Sequence, residues 1–250
     1  MRTAFITGGT SGIGEAAVRA FVRAGWRVVT TGRRAERLNG LHESLGDPLH
    51  TLNVDVRDRA AMDSAIAGLP EDFAKIDLLI NNAGLALGTA PAQQSSLDDW
   101  QTMIDTNVSA LVAVTRTLLP RLIAAKGAII NLSSVAATYP YAGGNVYAGT
   151  KAFVRQFSLG LRADLHGTGV RVTSIEPGMV ETEFTVVRTG GDQAASDKLY
   201  GGVDPMTGDD IAATLLWVAE LPAHLNINTL ELMPVNQSFA GFAVARPAQP

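Results

Sequence analysis

No cysteine occurs in the 250 residues, which excludes disulfides, thiolate metal sites and a cysteine nucleophile together. Charge of one sign is also missing, since 20 Lys and Arg stand against 24 Asp and Glu for a net charge of −4. Nucleic acid or an anionic membrane needs clustered, unbalanced Lys and Arg. The expected partner is therefore a small molecule. There is no run of about eighteen uncharged apolar residues, and Met1 leads directly into a short apolar run and a glycine loop, with no charged leader or cleavage site. The expectation is a cytoplasmic protein, neither secreted nor membrane-spanning, with no metal site. No internal repeat, low-complexity tract or Pro-, Gly- and Ser-rich linker divides the chain. At 46% hydrophobic and 18% charged residues it can bury a full core, yet it is short for two complete domains. A single domain over 1–250 is expected.

What is present is an alternation. Short β-rich runs at 4–7, 27–31, 50–54, 76–81, 127–133 and 171–177 are separated by longer segments of helical period. Apolar runs without strict in–out alternation suit strands buried on both faces, so the fold class is α/β, a doubly wound parallel sheet of Rossmann type with helices on both faces. The stretch 226–235, with Pro222 and Pro234 near its ends, adds an edge or seventh strand. Between Pro177 and Pro205 the period weakens. Connections longer than about 12–15 residues in a compact domain tend to be functional, so a substrate loop of short helices closing over a ligand is expected at about 178–208. Residues 245–250 are expected to fray or to pack on a partner.

TGGTSGIG at residues 7–14 follows the first strand and opens a helix. Gly8, Gly12 and Gly14 permit a tight turn, and with Thr10, Ser11 and Ile13 they bring backbone N–H groups and a helix dipole to a pyrophosphate. The spacing departs from G-x-G-x-x-G. At the end of the second strand, where an NAD enzyme carries an acidic residue for the ribose 2′-hydroxyl, the chain has Arg33 and Arg34. Two guanidiniums suit a 2′-phosphate, which an Asp would repel. The expected cofactor is NADP. Asp55, followed by Val56, either meets the adenine amino group or caps the helix beginning near Arg59.

Tyr147 and Lys151 stand four apart in a segment of helical period, so they share one face. A phenol with a reference pKa of about 10 is a poor base at neutral pH. A nearby ammonium and the positive charge of an oxidised nicotinamide favour the phenolate and suit it to act as an acid/base. Ser133 and Ser134 end one strand, and Asn81, Asn82, Ala83 and Gly84 end another. Ligands of open α/β sheets bind at those carboxyl ends, where all these groups converge. Strand alternation points Ser133 and Ser134 in opposite directions.

TGGTSGIG, NNAG, the spacing of Ser134, Tyr147 and Lys151, and IEPGMVETEF together resemble the short-chain dehydrogenase/reductase family along nearly the whole chain. The resemblance implies that Tyr147 donates the proton in carbonyl reduction and accepts it in alcohol oxidation. Lys151 lowers its pKa and holds the nicotinamide ribose, and Ser134 fixes the substrate oxygen. Asn107 supports a water-linked proton relay to Lys151. Asn82, Ala83 and Gly84 form a cofactor wall, and Pro177, Gly178, Val180 and Thr182 meet the nicotinamide carboxamide. A homotetramer is implied as well. GRRAERL, NNAGLALG, DDWQTMIDTN, PYAGGNVYAGTKAFVRQFSLGLR and LPAHLNINTLELMPV resemble one subgroup, the NADP-dependent 3-hydroxy acid dehydrogenases. Those act on serine, allo-threonine and 3-hydroxypropionate-like substrates and reduce malonic semialdehyde.

A carboxylate brought into a closed site needs a cation or several donors. Arg188 is the leading candidate and Tyr141 is expected to line the pocket; Arg155, one turn beyond Lys151, reads as an interface or surface residue. Gly149, inside the catalytic helix, is expected to permit close packing. The competing readings are a reductase of larger ketones or 3-oxoacyl thioesters, and a catalytically silent NADP-binding protein.

Overall fold

The computed structural model describes residues 1–240 and 244. The first half runs β1 (Thr3–Ile6), α1 (Gly12–Arg23), β2 (Arg27–Gly32), α2 (Ala35–Leu45), β3 (Leu49–Asn53), α3 (Arg59–Ala67), α4 (Glu71–Ala74) and β4 (Leu78–Asn81). It continues through α5 (Leu97–Ile104), a π-helical turn (Asp105–Ala110), α6 (Leu111–Ala125), β5 (Ala128–Leu132), α7 (Asn145–Asp164) and β6 (Arg171–Pro177). Last come β7 (Val180–Glu181), α8 (Phe184–Arg188), α9 (Gln193–Tyr200), β8 (Met206–Thr207), α10 (Gly208–Glu220) and β9 (Thr229–Leu232).

Seven strands form one parallel sheet in the order β3-β2-β1-β4-β5-β6-β9, a doubly wound Rossmann-type arrangement in a single domain. The six expected strands fall within two residues of their predicted ends, and β9 is the seventh, at the edge. Side chains alternate across the pleat. Ala4, Ile6, Val28, Leu78 and Ile80 pack under Val18 and Phe21 of α1 and Ile211 and Leu215 of α10. Phe5, Val29, Leu79, Ile129 and Val172 pack under Met62, Ile66, Val114, Leu118 and Leu122 of α3 and α6 on the other face. Burial of both faces is why these strands read as continuous apolar runs.

Order reverses between β1, which leads back to β2, and β4, which leads on to β5. That switch point is where open α/β sheets form their ligand crevice. The helical run Leu97–Ala125 is long and apolar enough, by length and composition, to cross a membrane. Here Met103, Leu118 and Leu122 are buried within the protein. The π turn at its centre holds Asn107 inward, and such turns recur at functional sites.

Two expectations need correction. A β-carbon on Gly149 would meet nothing within 4 Å, so close packing within the protomer does not explain the glycine. Gly149→Ala is expected to stabilise the fold by up to about 1 kcal/mol, read as a higher Tm with unchanged kcat. Asp55 caps no helix. Asp58 does, accepting the Ala61 N–H at 3.0 Å at the start of α3. Residues 245–250 lie outside the described residues.

Candidate active site

The carboxyl ends of β1, β4, β5 and β6 open on one cleft of about 820 Å³, within the range of small-molecule and cofactor sites. Every candidate from the sequence lines it except Asn107 and Asn81, the latter buried with its amide donating to Thr115 Oγ1 and Asn131 Oδ1. Among the described residues no group of His, Asp and Glu could hold a metal ion.

The glycine loop forms one end. Gly8 and Gly12 have φ of +76° and +53°, values a β-carbon resists. A β-carbon on Gly14 would fall on the Gly8 carbonyl oxygen, so glycine there lets α1 begin hard against the loop. Thr7, which the sequence reading passed over, ties the cradle to the next strand. Its hydroxyl accepts the Asn82 and Ala83 N–H groups, both at 3.0 Å, and the Asn82 amide donates back to the Thr7 and Gly8 carbonyls at 2.9 and 3.1 Å. Backbone approach with no side chain in the way, at a helix N-terminus, fits a dinucleotide pyrophosphate.

Arg33 and Arg34 differ. The Arg33 side chain is 64% exposed, its nearest carboxylate being Asp55 at 4.0 Å. Arg34 folds over the loop, donating to Ser11 Oγ at 2.7 Å, Thr10 Oγ1 at 3.0 Å and Glu183 Oε2 at 3.0 Å. Arg37, one turn further along α2, joins it on Glu183 at 2.7 Å and on the Thr10 carbonyl at 3.2 Å. These guanidiniums, Arg37 first, hold the Glu183 carboxyl below its usual range. Neither Arg37 nor Glu183 was singled out in the sequence, although Arg37 shares a helical face with Arg34 by spacing alone. Asp55 lines the adjoining wall beside Val56. Its carboxylate is gripped by Arg57 at 2.7 and 3.1 Å, which depresses its pKa.

The catalytic candidates meet at the other end. Ser134 Oγ accepts the Ala136 N–H at 3.1 Å and donates to the Pro177 carbonyl at 3.3 Å. Ser133 Oγ instead donates to the Lys151 carbonyl at 2.7 Å, tying β5 to α7. The two hydroxyls thus face different neighbours, as strand alternation requires. Lys151 Nζ donates to the Leu132 carbonyl at 2.8 Å and stands 5.8 Å from the Tyr147 ring centre. Burial lowers its pKa to about 8. Burial also pushes the Tyr147 phenol well above its ordinary value, opposed by a hydrogen bond with Ser134 and by the charge of Arg188. Lys151 was expected to supply that opposition; in the protein alone Ser134 and Arg188 do.

Asn107 sits behind the wall. Its Oδ1 accepts the Leu85 N–H at 2.9 Å, and its Nδ2 donates to the Leu85 carbonyl and Thr150 Oγ1 at 2.8 and 3.0 Å. A β-carbon on Gly84 would lie 3.2 Å from Asn107 Oδ1 and 3.4 Å from Lys151 Nζ. That glycine keeps open the gap between the two groups.

The region of weak period folds as β7, α8, α9 and β8, with β7 and β8 paired. Arg188, at the end of α8, donates to Tyr141 Oη at 2.7 Å, the Gly143 carbonyl at 3.1 Å and the Gly88 carbonyl at 3.2 Å. The guanidinium stands 5.9 Å from the Tyr147 ring centre. No carboxylate among the described residues pairs with it within 4.0 Å. Arg155 is elsewhere: it reaches Thr138 Oγ1 at 2.7 Å and the buried Glu176 at 3.4 Å.

A dinucleotide cradle and an aligned Ser, Tyr and Lys on a doubly wound sheet define an oxidoreductase class. Residues 2–191 match the family model for short chain dehydrogenase. The chain belongs to the short-chain dehydrogenase family. It is 66% identical over 244 residues to serine 3-dehydrogenase of Agrobacterium fabrum, covering 98% of each protein. It is 54% identical over 243 residues to NADP-dependent 3-hydroxy acid dehydrogenase YdfG of Escherichia coli K12, covering 96% of this chain and 98% of the relative. Among solved structures it is similar to the closed form of serine dehydrogenase complexed with NADP+, with a TM-score of 0.94, 53% identity, and 98% and 99% of the two chains covered.

Proposed function

We propose that the chain is an NADP-dependent oxidoreductase that interconverts short 3-hydroxy acids, of the serine, allo-threonine and 3-hydroxypropionate class, with their 3-oxo forms. The observation that carries this reading is Arg188, a cation free of carboxylate partners among the described residues and held 5.9 Å from the Tyr147 ring. A substrate carrying its own carboxylate near the reacting carbon meets that charge. Likeness to the serine and 3-hydroxy acid dehydrogenases supports the same substrate class.

NADP(H), when bound, supplies the hydride acceptor for oxidation and the donor for reduction. Its pyrophosphate would be held by residues 8–14, its adenine by Asp55 and Val56, its 2′-phosphate by Arg33 with Arg34, and its nicotinamide half by Asn82, Ala83, Gly84 and residues 177–182. Tyr147 takes the substrate hydroxyl proton in oxidation and returns it in reduction. Ser134 turns its one hydroxyl proton from the Pro177 carbonyl to the reacting oxygen. Lys151 would hold the ribose side of the cofactor and, with Asn107 across the Gly84 gap, would pass the proton on through water. Residues 178–208 form the substrate loop, with Arg188 on the substrate carboxylate and Tyr141 orienting that guanidinium.

Since Arg34 already bonds Glu183 and the loop, Arg33 is the freer 2′-phosphate ligand. Charge-assisted hydrogen bonds contribute about 1.5–3 kcal/mol. Arg33→Ala is therefore expected to raise the NADP KM about 10- to 100-fold while leaving the NAD value nearly unchanged. Equal efficiency of the wild type with NAD and NADP would contradict the cofactor assignment.

The active form is a cytoplasmic homotetramer. Supporting surfaces are the stacked, partly exposed Phe153 and Phe157 of α7, 5.6 Å between centres, and the exposed Trp217 of α10, apolar patches that further copies would cover.

A further inference from the structure

Gln237 follows β9 and is 9% exposed, yet it lines the cleft. Its backbone N–H donates to the Pro234 carbonyl at 2.9 Å, which turns the chain back towards the end of β6. Its Oε1 accepts the Met179 N–H at 2.8 Å. That backbone donor fixes which end of the amide is the oxygen, so the other end is the NH2 group. Among the described residues Nε2 makes no hydrogen bond. A β-carbon on Gly178 would fall on Gln237 Oε1. Glycine at 178 therefore leaves the path by which this side chain reaches Met179, two residues beyond the Pro177 carbonyl bonded by Ser134.

A carboxylate has about four lone-pair sites and is not satisfied by one cation. Arg188 shares its N–H groups with Tyr141 Oη and the Gly88 and Gly143 carbonyls, so it alone offers the substrate an incomplete set. We infer that Gln237 is a specificity-determining residue whose Nε2 amide donates to the substrate carboxylate, completing with Arg188 the recognition of an acid over a neutral alcohol. The inference rests on the proposed 3-hydroxy acid reading. It places half of the carboxylate site on the turn after the last strand, outside the substrate loop.

Gln237→Glu isolates the role. It keeps an oxygen for the Met179 N–H and replaces the free donor with a negative charge in the cleft. The probes are 3-hydroxypropionate and 1,3-propanediol, which share the reacting hydroxymethyl group and differ in the carboxylate. The expected result is a rise in KM for 3-hydroxypropionate of roughly 10- to 100-fold, the loss typical of a hydrogen bond to a charged group. The NADP KM and the efficiency with 1,3-propanediol stay within twofold or so of wild type. Gln237→Leu, which loses both bonds, separates specificity from loop support by also changing the NADP KM. If Gln237→Glu slows acid and diol equally, or acts on the NADP KM instead, the assignment of Gln237 is overturned. If wild type itself does not prefer the acid to the diol, the failure lies with the substrate reading.

Discussion

Tyr147→Phe is expected to lower kcat for 3-hydroxy acid oxidation by about 10²- to 10⁴-fold, the range that a positioned acid/base contributes, with NADP binding nearly unchanged. The phenol is buried in the cleft beside Ser134 and Lys151, and phenylalanine keeps the ring while removing the hydroxyl. Burial raises its pKa, so in the protein alone it is protonated at neutral pH and ready to donate in the reductive direction. Oxidation needs the phenolate and is expected to gain rate as pH rises towards the phenol's pKa, whereas reduction loses rate over the same range. Steady-state kinetics in both directions across pH checks this. A Phe variant retaining a tenth of wild-type turnover would exclude Tyr147 as the proton-transfer group.

The second large effect is expected at Arg188. Arg188→Ala removes the cation from the substrate end of the cleft, and truncating one partner of a buried hydrogen-bonded charge pair costs about 2–5 kcal/mol. The KM for serine or 3-hydroxypropionate should rise at least about 30-fold, by the usual conversion of about 1.4 kcal/mol per tenfold. The same change removes the hydrogen bonds that Arg188 makes to Tyr141 Oη and the Gly88 carbonyl, so some loosening of α8 should accompany it. Arg188→Lys keeps the charge without the fork that spans Tyr141, Gly88 and Gly143, and should recover only part of the loss. An unchanged Michaelis constant in the Ala variant would remove Arg188 from substrate binding.

What the sequence made legible was set by range. Strands buried on both faces, the glycine loop and the i, i+4 pair of Tyr147 and Lys151 are local patterns, and each lies where its pattern placed it. The cap at Asp58 is equally local, since it immediately precedes the expected helix start at Arg59. Glu183 and Gln237 are different. Glu183 bonds Arg34, 149 positions away, and Gln237 bonds Met179, 58 positions away. No local period encodes such juxtapositions; they follow from the order of strands and the path of the chain after β6 and β9. The π turn around Asn107 escaped for another reason, since its residues continue an ordinary helical pattern and only the hydrogen bonding differs.

The same distinction bears on the Tyr147–Lys151 pair. Spacing brought the two groups to one face, but Lys151 donates to the Leu132 carbonyl and has a pKa lowered by burial. The electrostatic help to Tyr147 in the protein alone comes from Ser134 and Arg188, on other elements. In the proposed reading, Arg188 serves both substrate recognition and the ionisation of Tyr147. Neutralising its charge with a bound carboxylate should make Tyr147 harder to ionise, which favours its role as proton donor to a 3-oxo acid.

The most direct test of the central claim is steady-state kinetics of the wild type with NADP and NAD against serine, allo-threonine, 3-hydroxypropionate and malonic semialdehyde, with 1,3-propanediol as the carboxylate-free control. NADP reduction with the 3-hydroxy acids, NADPH oxidation with malonic semialdehyde, and lower efficiency with both NAD and the diol are the results predicted. Turnover that favours the diol, or cofactor binding without turnover of any 3-hydroxy acid or its 3-oxo form, would contradict the account.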